Sequence, residues 1–135
     1  MKKQTLKSSH HSVYQIFYHI VLVTKYRRKA LNNQILQRLE NHFSRICKNA
    51  EGELVEFNGE ADHVHLLVSL PPKIAPARHV NTMKTISSRE IRREFSEYLK
   101  KFYWKPVLWS RSYCVVTTGG APIEVIKQYI ENQGN

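Results

Sequence analysis

The chain has 135 residues, with 21 Lys and Arg against 11 Asp and Glu, a net charge of +10 at pH 7 and a pI of ≈ 9.8. That length fits one domain with a sizeable core, and the charge points to a polyanionic partner, nucleic acid before any other. The longest apolar stretch, residues 16–23, is interrupted by Tyr18 and His19 and is too short to span a bilayer, and neither terminus carries a basic helix with a clean apolar face, so no membrane partner is expected.

In chain order, residues 1–12 are polar and basic and predict a flexible basic arm, without the small-residue cleavage site of a signal peptide. β-Branched and aromatic residues over 14–24 predict a buried strand, closed by the basic loop Tyr26-Arg27-Arg28-Lys29. Ile35, Leu36, Leu39, Phe43, Ile46, Cys47 and Ala50 recur at three- and four-residue spacing, which predicts a helix over 33–50 capped by Asn32 or Asn33, with Gly52 shortly past its end. Strands follow over 54–58 and 63–70, and Pro71-Pro72 stops the second. A helical segment over 76–102, broken near Ser96, turns Met83, Ile91, Phe95, Leu99 and Phe102 inward and Lys84, Arg89, Arg92 and Arg93 outward. A strand over 109–118, a turn at Gly119-Gly120 and a last helix over 121–133, with Pro122 in its first turn, complete the chain. Cys47 and Cys114 stand apart, in neither a zinc-ligand spacing nor a disulfide framework, which suits a reducing, cytoplasmic setting.

The order β-α-β-β-α-β plus a terminal helix predicts an α+β fold: a ferredoxin-like split βαβ sandwich, in which two helices pack on a four-stranded antiparallel sheet. No repeat or linker divides it, so residues 1–135 form a single domain.

Within the strand over 63–70, alternation sends Val64, Leu66, Val68 and Leu70 to one face and both His63 and His65 to the other. Two imidazoles on one rigid face are half of a divalent-metal site. On the last helix Ile123, Ile126 and Ile130 form the apolar stripe, with Tyr129 and Gln133 one turn apart at its edge. If that edge packs beside the histidine face, His63, His65 and the Gln133 amide would hold the metal and the phenol would face a phosphate. A ligand set of nitrogen and oxygen suits Mg²⁺ or Mn²⁺. A phenol with a pKa near 10 needs such help to attack phosphorus. Attack would store the phosphodiester energy in a phosphotyrosine link, so that strands rejoin without ATP.

Each piece has a plainer reading. A His-x-His in a strand is more often structural, Tyr129 is one of 7 tyrosines, and a basic helix face is often only solvated. A metallo-β-lactamase-type site would need an Asp-His where this chain has Leu67-Val68. A non-catalytic nucleic-acid-binding module on the same sheet would stack bases on strand aromatics, for which Tyr18 and Tyr113 are the candidates, although packing suits both. Positive charge, a histidine pair and a displayed phenol are explained together by DNA strand transfer.

Several runs make the chain similar to a known group: Leu22-Val23-Thr24-Lys25-Tyr26-Arg27, Glu60-Ala61-Asp62-His63-Val64-His65-Leu66-Leu67-Val68, Met83-Lys84-Thr85-Ile86-Ser87-Ser88-Arg89-Glu90, Leu108-Trp109-Ser110-Arg111-Ser112-Tyr113 and Val125-Ile126-Lys127-Gln128-Tyr129-Ile130-Glu131-Asn132-Gln133. It resembles the TnpA-type transposases of small insertion sequences (the insertion sequence 200/605 family), single-tyrosine members of the HUH superfamily. The resemblance implies that Tyr129 is the nucleophile and that His63, His65 and Gln133 are the metal ligands. It implies cleavage and rejoining of single-stranded DNA bearing hairpins, through a 5′-phosphotyrosine intermediate. It also implies a homodimer that can exchange its tyrosine helices, with Gly119-Gly120 as hinge. A domesticated relative acting on palindromic repeats, or a replication initiator, would share these features. Arg27, Arg28, Lys84, Arg89, Arg92 and Arg93 are the candidate DNA contacts, whose phosphate pairing would weaken with salt.

Overall fold

The computed structural model describes residues 7–9, 12–14, 16–117 and 129–132. At its amino-terminal side β1 (Lys7–Ser9) and β2 (Ser12–Tyr14) pair antiparallel, with Ser8 opposite Val13. At residues 7–9 and 12 this corrects the expected loose arm; the rest of 1–12 lies outside the described residues. Backbone groups alone can pair a short polar ribbon, and no hydrophobic alternation announces it. The next strand accordingly starts later than expected: β3 (Phe17–Thr24) holds the β-branched run and is buried along most of its length.

A single 3₁₀ turn (Lys25–Arg27) leads to α1 (Asn33–Asn49). The Asn32 side chain accepts a hydrogen bond from the Ile35 amide at 2.8 Å, satisfying one of the free donors at the helix start. Two strands follow, β4 (Glu53–Gly59) and β5 (His63–Ser69). α2 (Pro76–Glu94) begins with proline at its first turn, where the missing N–H costs nothing. Phe95, at φ −126° and ψ 37°, separates it from the short α3 (Ser96–Leu99), so the expected break near Ser96 is present. β6 (Trp109–Thr117) is the last described strand.

The sheet order is β4-β5-β3-β6, and every neighbouring pair is antiparallel. β3 and β4 therefore run parallel, joined through α1, with β5 inserted between them. β5 and β6, joined through α2, likewise flank β3. These two interleaved split βαβ units are the expected ferredoxin-like arrangement.

Alternation divides the sheet into two chemically different faces. Ile20, Leu22, Val64, Leu66 and Val68 point into the main core, where α1 supplies Ile35, Leu39 and Phe43 and α2 supplies Val80, Met83 and Ile91. Each such side chain, fully buried, contributes about 1.5–3 kcal/mol. Tyr18 and Tyr113 pack against this core as partly buried rings. Trp109 Nε1–H donates to Ser87 Oγ at 2.9 Å, joining β6 to α2. On the opposite face Val21 and Val23 form a smaller cluster with Cys114, Val116, Tyr129 and Ile130. Among the described residues no helix is long and apolar enough to cross a membrane.

Candidate active site

The second face is built by the same two-residue period. β5 presents His63, His65 and Leu67; register sets Val23 opposite His63, Val21 opposite His65 and His19 opposite Leu67. Cys114 of β6 lies opposite Val21, and Val116 opposite His19. Both expected imidazoles thus share a face with the Tyr129 cluster.

His19 is a third imidazole there, and the sequence reading gave it no role. Its Nδ1 lies 3.0 Å from His65 Nε2, with ring centroids 5.1 Å apart. It sits diagonally across the β3–β5 pair, within reach of a ring two positions along. One ring must donate and the other accept, which requires at least one neutral imidazole. Burial pushes the His65 imidazole below its usual range, and the neighbouring His19 and His63 push the same way. His65 is therefore neutral at pH 7, the form a metal ligand needs.

His63 is fixed differently. Its Nδ1 lies 2.9 Å from Asp62 Oδ1, which orients the ring and leaves Nε2 as the free donor atom. Burial alone would raise the Asp62 carboxyl, but hydrogen bonds from His63 and Arg27 outweigh it and hold the group below the usual carboxylate range. Arg27 Nε–H donates to Asp62 Oδ2 at 2.9 Å. Its other arm, through a terminal guanidinium nitrogen, reaches the backbone carbonyl of Glu131 at 3.1 Å. Arg27 therefore joins the carboxylate behind His63 to the helical residues 129–132.

Arg27 takes this position from a strained turn. Tyr26 and Arg27 have φ of 58° and 51°, in the left-handed region, which costs on the order of 1–3 kcal/mol per non-glycine residue. Lys25 N–H to Leu108 O at 2.8 Å and Thr24 Oγ1–H to Arg28 O at 2.6 Å brace it.

Tyr129 is partly buried, and its hydroxyl donates to Ser112 Oγ at 3.3 Å. Burial pushes the phenol above its usual range, only partly offset by the Ser112 bond. At pH 7 it is a protonated, oriented phenol that must lose its proton to react. Gln133 and the glycines Gly119 and Gly120 lie outside the described residues.

His63 and His65 fit a divalent metal in donor chemistry: one ring has an oriented Nε2, the other is held neutral. Among the described residues no three His, Cys, Asp or Glu side chains gather as a ligand set. A third protein ligand would have to come from another residue type, such as the amide expected at Gln133.

The candidate DNA contacts separate into two kinds. Arg27 is engaged at the site, and Lys84 Nζ donates to Arg111 O at 2.8 Å while lying over the Tyr113 ring, its pKa lowered by burial and then by the charges of Arg111 and Lys25. Arg93 pairs with Glu90 at 2.7 Å, and Arg92 donates to Ser88 Oγ at 3.1 Å. Arg89 is exposed, and so is Arg28, which donates to the Phe102 carbonyl.

A split βαβ sheet with a helix-covered core face, and with paired imidazoles and a helix-borne tyrosine on its other face, fits a TnpA-type transposase. The family described as "Transposase IS200 like" matches residues 12–133, and the chain belongs to that family. The ISDra2 transposase TnpA of Deinococcus radiodurans is 33% identical over 130 residues, covering 95% of this chain and 91% of that protein. The transposase for insertion sequence element IS200 of Salmonella typhimurium is 31% identical over 127 residues, covering 94% and 82%. A Deinococcus radiodurans R1 protein crystallised as a candidate transposase superposes with a TM-score of 0.84 at 34% identity, over 94% of this chain and 97% of that one. A tyrosine transposase associated with REP sequences, bound to a REP hairpin, shares the fold alone, with a TM-score of 0.51 at 12% identity over 96% of this chain and 76% of that one.

Proposed function

We propose that this transposase cleaves and rejoins single-stranded DNA at the ends of an insertion sequence, recognising hairpins near those ends, with Tyr129 as nucleophile. One observation carries the reading: Tyr129 packs on the sheet face that also bears His63 and His65.

The phenol gives up its proton to solvent as its oxygen attacks the scissile phosphorus; a Tyr–O–P bond forms, the P–O3′ bond breaks, and the 3′ oxygen takes up a proton from solvent and leaves as a hydroxyl. DNA stays attached by a 5′-phosphotyrosine link, and attack by another 3′ hydroxyl reverses the chemistry. Ser112 orients the phenol before attack. Asp62 sets the His63 tautomer, and Arg27 fixes the tyrosine helix relative to that carboxylate. His63, His65 and Gln133 would hold Mg²⁺ or Mn²⁺, which when bound polarises the phosphoryl group and offsets its developing charge. The homodimer implied by the resemblance, with tyrosine helices exchanged about Gly119 and Gly120, belongs to the same reading. In that arrangement the Arg27 contact to the helix backbone would form between subunits.

The test is a labelled single-stranded oligonucleotide carrying a subterminal hairpin, incubated with Mn²⁺ and resolved under denaturing conditions. Wild type should give a covalent protein–DNA band, mapping to Tyr129 by mass spectrometry. Tyr129→Phe should lose that band while binding the hairpin at near wild-type affinity. A band of undiminished intensity from Tyr129→Phe would remove this tyrosine from the mechanism.

A further inference from the structure

Two large aromatic side chains stand exposed among the described residues: Trp104, at 84%, and Tyr26, at 37%. They are linked by cations. Lys105 Nζ lies 5.3 Å from the Trp104 ring centroid and 5.4 Å from that of Tyr26. Lys25 Nζ and the Arg28 guanidinium carbon each lie 5.3 Å from the Tyr26 ring. Beside Trp104 opens a cleft of about 260 Å³, with Leu99, Tyr103 and Val107 among its apolar lining and Lys100 and Lys105 among its charges.

An exposed indole among ammonium groups suits a ligand that offers a flat π face beside a negative charge. A second copy of this chain, itself at +10, brings the wrong sign. A nucleic-acid strand brings both features in every nucleotide, and only an unpaired base can offer its face, because a duplex buries it in the stack. Place supports the same ligand. Tyr26 immediately precedes Arg27, whose guanidinium bonds Asp62 behind His63, so the patch shares the Lys25–Arg27 turn with the candidate active site.

We propose that Trp104 and Tyr26, with Lys25, Arg28 and Lys105 for the phosphates, form a stacking surface for unpaired bases of the DNA strand that leaves the Tyr129 site. This inference rests on the single-strand reading of that site and adds a second place of contact to it.

The chain has 2 tryptophans, and Trp109 is 7% exposed and hydrogen-bonded in the core, so quenching of intrinsic fluorescence by DNA reports on Trp104. An unstructured oligothymidylate titrated into Tyr129→Phe protein should quench the emission. Added to that background, Trp104→Ala, whose affinity is read by anisotropy of an end-labelled oligothymidylate because the indole reporter is gone, should weaken binding by about 5- to 150-fold, the range of one lost base stack. Trp104→Phe should recover most of the affinity, and Tyr26→Ala should lose part of it. Unchanged oligothymidylate affinity in both alanine variants would overturn the proposal. So would an equal loss for a blunt duplex, or loss of a DNA-free dimer on sedimentation of Trp104→Ala, which would mark the ring as a contact between copies. A covalent adduct assay with the Tyr129-containing protein separates the two readings. Adduct without a Trp104 effect sinks only this surface, whereas a Trp104 effect without adduct sinks only the strand-transfer chemistry.

Discussion

Asp62 accepts from His63 and from Arg27 with its two oxygens, so one carboxylate fixes an imidazole tautomer and holds the side chain that reaches the tyrosine helix. Replacing it tests whether the histidine face binds metal through a prepared ring. Asp62→Asn keeps the volume but removes the charge that favours the orienting hydrogen bond. Mn²⁺ affinity, measured by calorimetry, should fall about 10- to 100-fold with unchanged circular dichroism, the usual effect of losing such a partner. Equal affinity would mean that His63 is not a ligand or needs no orientation. At this scale His63 and His65 were legible because a strand's period alone sets them on one face. His19 was not, because its role depends on which strand β3 pairs with and in what register, and alternation inside β3 does not contain that information. Arg27 was read as a surface charge for the same reason: its two partners lie 35 and 104 residues away along the chain.

The end of α1 shows how an element boundary can be legible while its geometry is not. Gly52 was expected as the stop signal, yet the left-handed residue is Glu51, at φ 62°. The Gly52 amide donates to Cys47 O at 2.8 Å and the Glu51 amide to Lys48 O at 3.0 Å, the paired bonds of a Schellman ending. Glycine is needed one residue later because a Cβ there would lie 2.3 Å from the Ser69 carbonyl oxygen and 3.1 Å from Leu70 Cδ2. Two substitutions should therefore act in opposite directions. Glu51→Gly relieves the left-handed strain and should stabilise the fold by a few tenths to about 1 kcal/mol, after the extra entropy glycine gives the unfolded chain. Gly52→Ala must displace the β4–β5 backbone and should destabilise by about 1–3 kcal/mol. Urea midpoints measure both. A Gly52→Ala midpoint equal to wild type would mean that the strands yield easily and the close approach is incidental.

For the molecule as a whole, the β-α-β-β-α-β order was enough to predict the sheet and its helix-covered face, because hydrophobic periodicity switches cleanly between strand and helix. Beside the apolar core that the two helices share, a polar clasp between them was not visible in the sequence. Glu94 near the end of α2 accepts from Arg38 Nε and a second Arg38 nitrogen at 3.1 and 3.0 Å, and its Oε2 lies 3.1 Å from His42 Nε2 on the same α1 face. The Arg38 hydrogen bonds chiefly hold the Glu94 carboxyl below its usual range. A group with a depressed folded-state pKa stabilises the fold above its unfolded value, and that contribution disappears as pH falls through the folded value. Glu94→Gln should accordingly lower stability at pH 7. The loss should be about 1 kcal/mol or less, because the Arg38 side chain is 45% exposed and solvent screens the pair. Glu94→Gln removes one negative charge, so at pH 7 the variant is one charge more positive than the wild type at +10; as pH falls the wild-type carboxylate is protonated, that difference closes, and both proteins grow more positive. Self-repulsion thus rises in both proteins toward the same charge, whereas the Glu94 contribution is lost from wild type alone. Urea midpoints of the two proteins should therefore be separated at pH 7 and converge as pH falls below the unfolded glutamate range and through the lower folded value. A separation that persists undiminished in acid would assign the effect of Glu94 to packing and remove the charged clamp between the helices.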